Sequence, residues 1–250
     1  MQDSQQYKEK KAFFEKMITL YGRNVVLEVL QDTTVEVHKL HLAKSNKPDG
    51  SIKKIMTLAQ TRNIEIVHHE KNALSRISKN AKQDQGVAID IYSKSYQHAR
   101  EIQKLQTFKL IALDGIHNPQ NLGMIIRSCA AGNVDGIILP KKNSAKISPL
   151  VIKASAGTLF KIPLYFCDTL EEILPQLPNT QVYALSLDAT ESIYDAKTSA
   201  RDIFVLGNES EGISKEVASL CNKELIIPMN RGVESLNVAV TAALIAFMRS

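Results

Sequence analysis

The chain lacks most features that mark common nucleotide-handling and metal-handling enzymes. It has 11 glycines in 250 residues, and no two of them are separated by a single residue. A Gly-x-Gly-x-x-Gly turn is therefore missing, which disfavours a dinucleotide-binding Rossmann unit of the usual type. Nor is there a Gly-rich Lys-Ser/Thr phosphate loop, a His-Glu-x-x-His pair or a Gly-x-Ser-x-Gly elbow. Three cysteines, Cys129, Cys167 and Cys221, are odd in number, widely spaced and free of any Cys-x-x-Cys pair. They argue against a disulfide scaffold and a zinc site, and for reduced thiols in a cytoplasmic protein. No run of 18 apolar residues exists, so no membrane span is expected. The first eleven residues carry acids and no apolar stretch, unlike a secretory signal or a transit peptide.

What remains is an ordinary globular composition, 44% apolar and 23% charged. The length suits one large domain or two modest ones, each with a core of its own. The net charge of +5 is unevenly spread: residues 1–106 hold 18 Lys+Arg against 12 Asp+Glu, and residues 107–250 hold 13 against 14. Two readings fit. One module grips a polyanion while a near-neutral one does chemistry, or the lysines form a solvated surface.

Apolar spacing predicts a helix over 5–20, a second from Asn24 (a candidate cap) to 29 or 30, and a half-buried strand over 35–43. A helix over 48–62, a strand over 64–68, a short helix over 72–78 and a strand over 87–92 complete a small α/β unit. Beyond a polar stretch the texture changes to longer, more apolar strands: 109–113, 136–139, 162–166, 182–187, 203–206 and 225–228. Helical patterns lie between most of them, at 121–131, 149–156, 170–174 and 214–220. Near-continuous apolar strands alternating with helices predict a mostly parallel sheet covered on both faces. The last helix, 236–247, is apolar nearly all round and needs burial in the domain or in a dimer interface. The expected organisation is an N-terminal helical extension over 1–20, a small domain over 21–93, a linker over 94–106 and a larger α/β domain over 107–250.

Three polar groups punctuate the apolar half, each where a strand gives way to a loop or helix, the usual place for substrates in α/β proteins. In the first, Asp114-Gly115 ends a strand, Asn118 and Asn121 can cap a helix, and Gly123 allows close approach. Arg127 then lies inside that apolar helix, where a buried guanidinium needs a fixed partner or an anionic ligand. In the second, Leu206 runs into Gly207-Asn208-Glu209-Ser210-Glu211-Gly212, and Ser214 can cap the next helix. Two carboxylates there would repel a phosphate, and Glu211 reads as an ordinary solvated acid. In the third, Pro228 stops a strand, Gly232 turns the chain and Ser235 caps the last helix. Asn237 would then sit in the first turn, where free N–H groups favour an anion or polar ligand. The pair His68-His69 ends a strand of the small unit. Without a carboxylate cluster beside them, they read as surface histidines rather than metal ligands.

Together these residues resemble the three motifs of the SpoU/TrmH (SPOUT) family of RNA ribose 2′-O-methyltransferases. Asn121-Leu122-Gly123 through Arg127 resembles motif 1, 206–212 motif 2, and Ile227-Pro228-Met229 through Ser235-Leu236-Asn237-Val238 motif 3. Residues 21–30 and 84–88 look like weaker forms of substrate-domain signatures, with Asn24 and Asp84 where the family often has histidine. The likeness is greatest to the subgroup with an N-terminal L30e-like domain that acts on a guanosine of 23S ribosomal RNA. It implies a trefoil-knotted C-terminal α/β domain with a parallel sheet, an obligate homodimer and S-adenosylmethionine as methyl donor, with no metal. By the match, Leu206, Gly207, Ile227, Met229 and Leu236 would line the cofactor pocket. Asn121, Arg127, Glu209, Ser235 and Asn237 would be the catalytic-site residues. A transfer RNA ribose methylase, or a silent ribosome-assembly factor of the same fold, stays open as an alternative.

Overall fold

Period-two strands and short amphipathic helices of the first part build a four-stranded sheet in the computed structural model, which describes residues 17–48, 50–78, 84–92 and 96–248. The chain divides into two units, Met1–Lys94 and Ser95–Ser250. The first holds β1 (Met17–Tyr21), α1 (Arg23–Gln31), β2 (Glu36–Ala43), α2 (Gly50–Thr61), β3 (Glu65–His69), α3 (Lys71–Ser78) and β4 (Val87–Tyr92). Its strand order is β1-β4-β2-β3, with β4 antiparallel to both neighbours and β2 parallel to β3.

Alternation along these strands sorts the two faces. Leu40, Leu42, Ile89 and Ile91 are buried on one side, and the buried stripes of α1 (Val26, Val29, Leu30) and α2 (Ile52, Ile55, Ala59) complete that core. On the other face Ala43 and Ala88 pack with Leu74 of α3. That helix has only eight residues, and the same face goes on to carry the polar residues Thr19, Asp90, His41 and His69. Ahead of β4, the buried Asp84 accepts from Ser78 Oγ at 3.0 Å and from the Gly86 amide at 2.9 Å, fixing the turn.

The second unit holds β5 (Tyr96–His98), a 3₁₀ turn (Ala99–Lys104), β6 (Phe108–Leu113), α4 (Pro119–Ala131), β7 (Gly136–Pro140), α5 (Pro149–Ser155), β8 (Leu164–Cys167) and α6 (Leu170–Ile173). It continues with β9 (Gln181–Leu185), β10 (Arg201–Leu206), α7 (Lys215–Ala218), β11 (Lys223–Leu225) and α8 (Val238–Phe247). The seven strands run in the order β11-β9-β10-β6-β7-β8-β5, every recorded pairing being parallel. All residues of β6 and β7 are buried, as a sheet covered on both faces requires. Leu110, Ala112, Ile138, Ile203 and Val205 share a core with Ile102, Leu170, Ile173 and Val217 on one side. On the other side α4 packs against α5 and α8.

Two expectations are corrected. Residues 17–20, expected to close a helix begun at residue 5, form a strand paired with β4, while 5–16 lie outside the described residues. Met17, Ile18 and Leu20 suit a strand as well as a helix, and the free edge of β4 decides the matter. Of the expected linker, 96–104 is built into the large unit: β5 pairs with β8, and Ala99 and Ile102 are fully buried. They are the apolar pair of a mostly polar 3₁₀ turn, too sparse a pattern to signal a core element. Smaller shifts occur at caps, since α1 begins after Gly22 rather than Asn24 and α8 starts at Val238.

Close helix packing depends on a missing side chain at the end of α4. A Cβ at Gly132 would lie 2.5 Å from the Ala246 carbonyl oxygen and 2.7 Å from its carbon. Those are backbone atoms and cannot rotate away. Gly132→Ala should therefore cost about 1–3 kcal/mol through overpacking, lowering the melting temperature by roughly 2–4 °C per kcal/mol in a chain of this size. A wild-type melting curve for this variant would refute so close an approach.

Candidate active site

Sheet order explains why three distant segments meet. Strands β6 and β10 are neighbours, and β9 alone separates β10 from β11. Being parallel, they release their following loops at one edge, the carboxyl edge where α/β sheets bind ligands. The first two loops are stitched at once: the Asp114 amide donates to the Leu206 carbonyl at 2.8 Å, and Asn208 Nδ2 to the Gly115 carbonyl at 2.8 Å. Asp114 Oδ2 also accepts from the amide and hydroxyl of Ser214, at 2.8 and 2.7 Å. Between these anchors the loop folds back on itself, with Asn208 and Gly212 exchanging two backbone hydrogen bonds of 2.9 Å. A Cβ at Gly207 would collide with the backbone of Gly212, so this glycine is a steric necessity.

The central contact is a chain of three side chains. Asn121, buried in the first turn of α4, donates its Nδ2 to Glu209 Oε1. Its Oδ1 accepts from Asn237 Nδ2 at 3.3 Å. Asn237 Oδ1 in turn caps α8 by accepting from the Ala239 amide at 2.9 Å. Residues 121, 209 and 237 thus form one hydrogen-bonded cluster beside the N-terminal ends of two helices, where backbone dipoles favour negative charge.

The structure places the predicted residues unequally. Asn121, Glu209 and Asn237 come together, but not in the local roles foreseen. Of the two cap candidates for α4, Asn118 takes the position, through its contact with the Gln120 amide, and Asn121 lies within the first turn. Asn237, not Ser235, caps α8, and Ser235 lies exposed two residues ahead of it. Ser214 precedes α7 yet makes no side-chain cap, because its hydroxyl is committed to Asp114. Leu206 and Ile227 are buried, Gly207, Met229 and Leu236 are half-buried, and Ile227 and Met229 take part in no backbone–backbone hydrogen bond among the described residues. Their amide and carbonyl groups could meet a flat heterocycle edge-on.

Arg127 requires the main correction. The sequence predicts a guanidinium buried in an apolar helix, and the side chain is exposed. It lies six residues beyond Asn121, so roughly 9 Å along the axis and about 120° round the helix. Gln120, Met124 and Ala131 share its exposed stripe, and no hydrogen bond joins it to the cluster among the described residues. The helical pattern placed Arg127 correctly between buried neighbours Ile126 and Cys129, but periodicity alone cannot say whether its own direction is covered. The sequence reading gives Asp114 only as a strand end and Asn208 only as a member of the second polar group, and the structure shows that both hold the loops. The available signal was their position immediately after two parallel strands.

Comparison with known proteins gives these contacts a family. Residues 108–247 match the SpoU rRNA Methylase family, and residues 19–97 match the domain described as RNA 2′-O ribose methyltransferase substrate binding. Among curated relatives, a protein of Mycolicibacterium gilvum named as an uncharacterized tRNA/rRNA methyltransferase is 30% identical over 231 residues, covering 90% of this chain and 73% of its own. One of Mycobacterium avium with the same name is 30% identical over 237 residues, covering 92% and 76%. Two solved structures share the fold. The AdoMet-bound rRNA methyltransferase of Sinorhizobium meliloti matches with a TM-score of 0.66 at 23% identity, over 96% of this chain and 89% of its own. The SpoU methyltransferase AviRb of Streptomyces viridochromogenes, complexed with AdoMet, matches with a TM-score of 0.67 at 20% identity, over 95% and 91%. With its three strand-end segments tied together and its large unit matched almost throughout, the chain belongs to the SpoU family of RNA methylases.

Proposed function

We propose that the protein methylates a ribose 2′-hydroxyl in structured RNA, using S-adenosylmethionine, and that its substrate is a guanosine of 23S ribosomal RNA. The observation carrying this reading is the Glu209–Asn121–Asn237 chain, which brings all three motif-like segments to one edge of the sheet. The donor site fits the residues present. Gly207 bares the backbone, and the extended stretch through Ile227 and Met229 offers amides and carbonyls to an adenine edge. S-adenosylmethionine supplies a methyl group already activated on a sulfonium. The chain's own task is to align the ribose hydroxyl with that carbon and to favour loss of its proton.

Each residue then has a role. Asn121, its amide held by Glu209 and Asn237, presents a fixed hydrogen-bonding edge to the ribose. Ser235, exposed ahead of the α8 cap, contacts phosphate. A guanidinium offers five N–H donors and no acceptor, so Arg127 stabilises the developing alkoxide and holds an adjacent phosphate rather than acting as base. Its exposure within one chain directs it outward, to the site of a second subunit. An apolar surface supports that assembly. Met124, Leu150, Val240 and Phe247 are exposed, the last by 60%, and a groove of about 570 Å³ lies along α8 between Tyr194, Val240, Leu244 and Phe247. The reading therefore includes an obligate homodimer, with the trefoil-knotted connection of its family, at work in the cytoplasm. The small unit is read as an L30e-like module that holds the RNA. Mapping 2′-O-methyl positions in total RNA with and without the gene tests this. A lost methyl in 23S RNA supports it, one in transfer RNA transfers the activity to the other substrate, and none leaves a silent assembly factor.

Two further outcomes are expected. Arg127→Ala and Asn237→Ala should each abolish turnover, the second also costing about 1 kcal/mol of stability through the lost cap. Mixing the two inactive proteins under subunit exchange should restore about a quarter of the wild-type rate, because half the dimers then carry one complete composite site. No recovery on mixing would mean that Arg127 serves its own subunit. The double substitution of the exposed Lys53 and Lys54 on α2 by alanine should weaken RNA binding and lower the salt slope by about 1–2, with S-adenosylmethionine affinity retained. An unchanged salt titration would remove α2 from the RNA footprint.

A further inference from the structure

The polar half of the small unit's sheet holds a row of four side chains from four strands. Thr19 Oγ1 donates to Asp90 Oδ1 at 2.6 Å, His41 Nε2 lies 2.9 Å from Asp90 Oδ2, and His41 Nδ1 lies 2.9 Å from His69 Nε2. Strand register builds it, since Thr19 is level with Asp90, and His69 with Ala43, two residues along from His41. His41 and Asp90 are buried, whereas His69 is half-buried on the edge strand β3. The row therefore runs from the interior to the surface, and His69 is not the isolated surface histidine its sequence position suggests. None of these residues belongs to the methyl-transfer site.

Hydrogen-bond chemistry fixes most of the protons. Burial opposes the charge on Asp90, but hydrogen bonds from His41 and Thr19, with the charges of His41 and His38, hold its carboxyl below the usual range. An ionised carboxylate can only accept, so His41 Nε2 carries hydrogen. The two nitrogens facing each other between the rings then share one more. With His41 neutral, His69 Nε2–H points inward and the Nδ1 of this half-buried ring, which makes no hydrogen bond among the described residues, is bare. With a second proton on His41, its Nδ1–H donates to His69 Nε2, and His69 Nδ1 becomes an N–H. One buried proton thus decides what His69 offers at the surface. His69 itself resists charging, through burial first and then through His41, His68 and Lys39.

We propose that His69 donates its Nδ1–H to a phosphate oxygen of the RNA held by the small unit, the required proton being taken up on His41 as RNA binds. This rests on the RNA-methylase reading above. Phosphates receive most nucleic-acid hydrogen bonds, and an anion outside the row favours the second proton inside it. Lys39 and Lys44 flank the site, paired at the surface with Glu65 at 3.2 Å and Glu70 at 2.9 Å, pairs that cost little to exchange for phosphate. The other charged or titratable groups on the surrounding elements are Tyr21 on β1, Tyr92 on β4, Glu36 and His38 on β2, His68 on β3, and Lys71 and Arg76 on α3. Of these, only histidines ordinarily change charge between pH 5.5 and 8.

The test is the affinity of the full chain for protein-free ribosomal RNA from pH 5.5 to 8.0 at constant ionic strength. A ligand that prefers the protonated row binds more tightly as pH falls, by at most about tenfold per pH unit for one proton. The wild type and His68→Gln should show that rise. His69→Leu should lose its own share of the slope and bind about three- to tenfold more weakly at pH 6, with melting temperature and S-adenosylmethionine affinity as checks on folding. In the wild-type RNA complex, the ¹⁵N imidazole spectrum should show hydrogen on Nδ1 of His69. A bare Nδ1 there, a flat wild-type profile, or a wild-type slope in His69→Leu overturns the proposal. Absence of any RNA binding by the wild type would instead overturn the RNA reading beneath it.

Discussion

The site depends on the orientation of one buried carboxamide. Asn121 lies between a carboxylate, which can only accept, and Asn237, whose own oxygen is committed to capping α8. These neighbours leave a single arrangement: Nδ2 toward Glu209 and Oδ1 toward Asn237. Leaving a buried amide unpaired costs about 1–3 kcal/mol, so any shift of the 207–214 loop or of the α8 N-terminus meets resistance at this residue. The loop is further restrained by Asp114, Asn208 and the contact at Gly207. Polar groups that look like separate motifs along the chain are thus one mechanical unit.

Much of this was legible in the sequence because the physics concerned was local. A parallel sheet covered on both faces makes its strands apolar throughout, and 109–113, 136–139 and 203–206 show that pattern. The order in which those strands pair leaves no local trace, and that order alone brings Gly115 beside Asn208. Caps are only partly legible for a related reason. Ser214, Ser235, Asn118, Asn121 and Asn237 are all residue types that cap helices, and tertiary competitors decide which of them does. Asp114 takes the Ser214 hydroxyl and Asn237 takes the Asn121 oxygen that a cap would need, while Asn118 and Asn237 cap α4 and α8. Arg127 shows the limit most clearly, because helical spacing gives its angle but not what covers that angle.

The small unit shows how a polar row can lie within a sheet. Its second face packs Ala43 and Ala88 against Leu74 of the eight-residue α3 and carries polar side chains beyond that contact. These are Thr19, Asp90, His41 and His69, which satisfy one another. No sequence window contains more than one member of this set, so it was invisible until the strands were paired. Charge, by contrast, was visible from the start as the lysine excess before residue 107.

In the proposed dimer, helix α8 would connect assembly to chemistry. An ordinary surface helix needs one apolar stripe, and a helix apolar on several sides needs more than one partner. Here Val238, Ala239, Ala242, Ile245 and Ala246 are buried within the chain, chiefly by α4, while Val240 and Phe247 stay exposed. The inner face positions the helix end at which Asn237 holds Asn121. If the outer face is covered by a second copy, the contact that excludes water from Phe247 also fixes the distance between one subunit's cluster and the other's Arg127. Exposure of that arginine is then no defect of the site. A cation that must meet a phosphate is cheaper to keep in water until the partner and the RNA arrive than to bury alone.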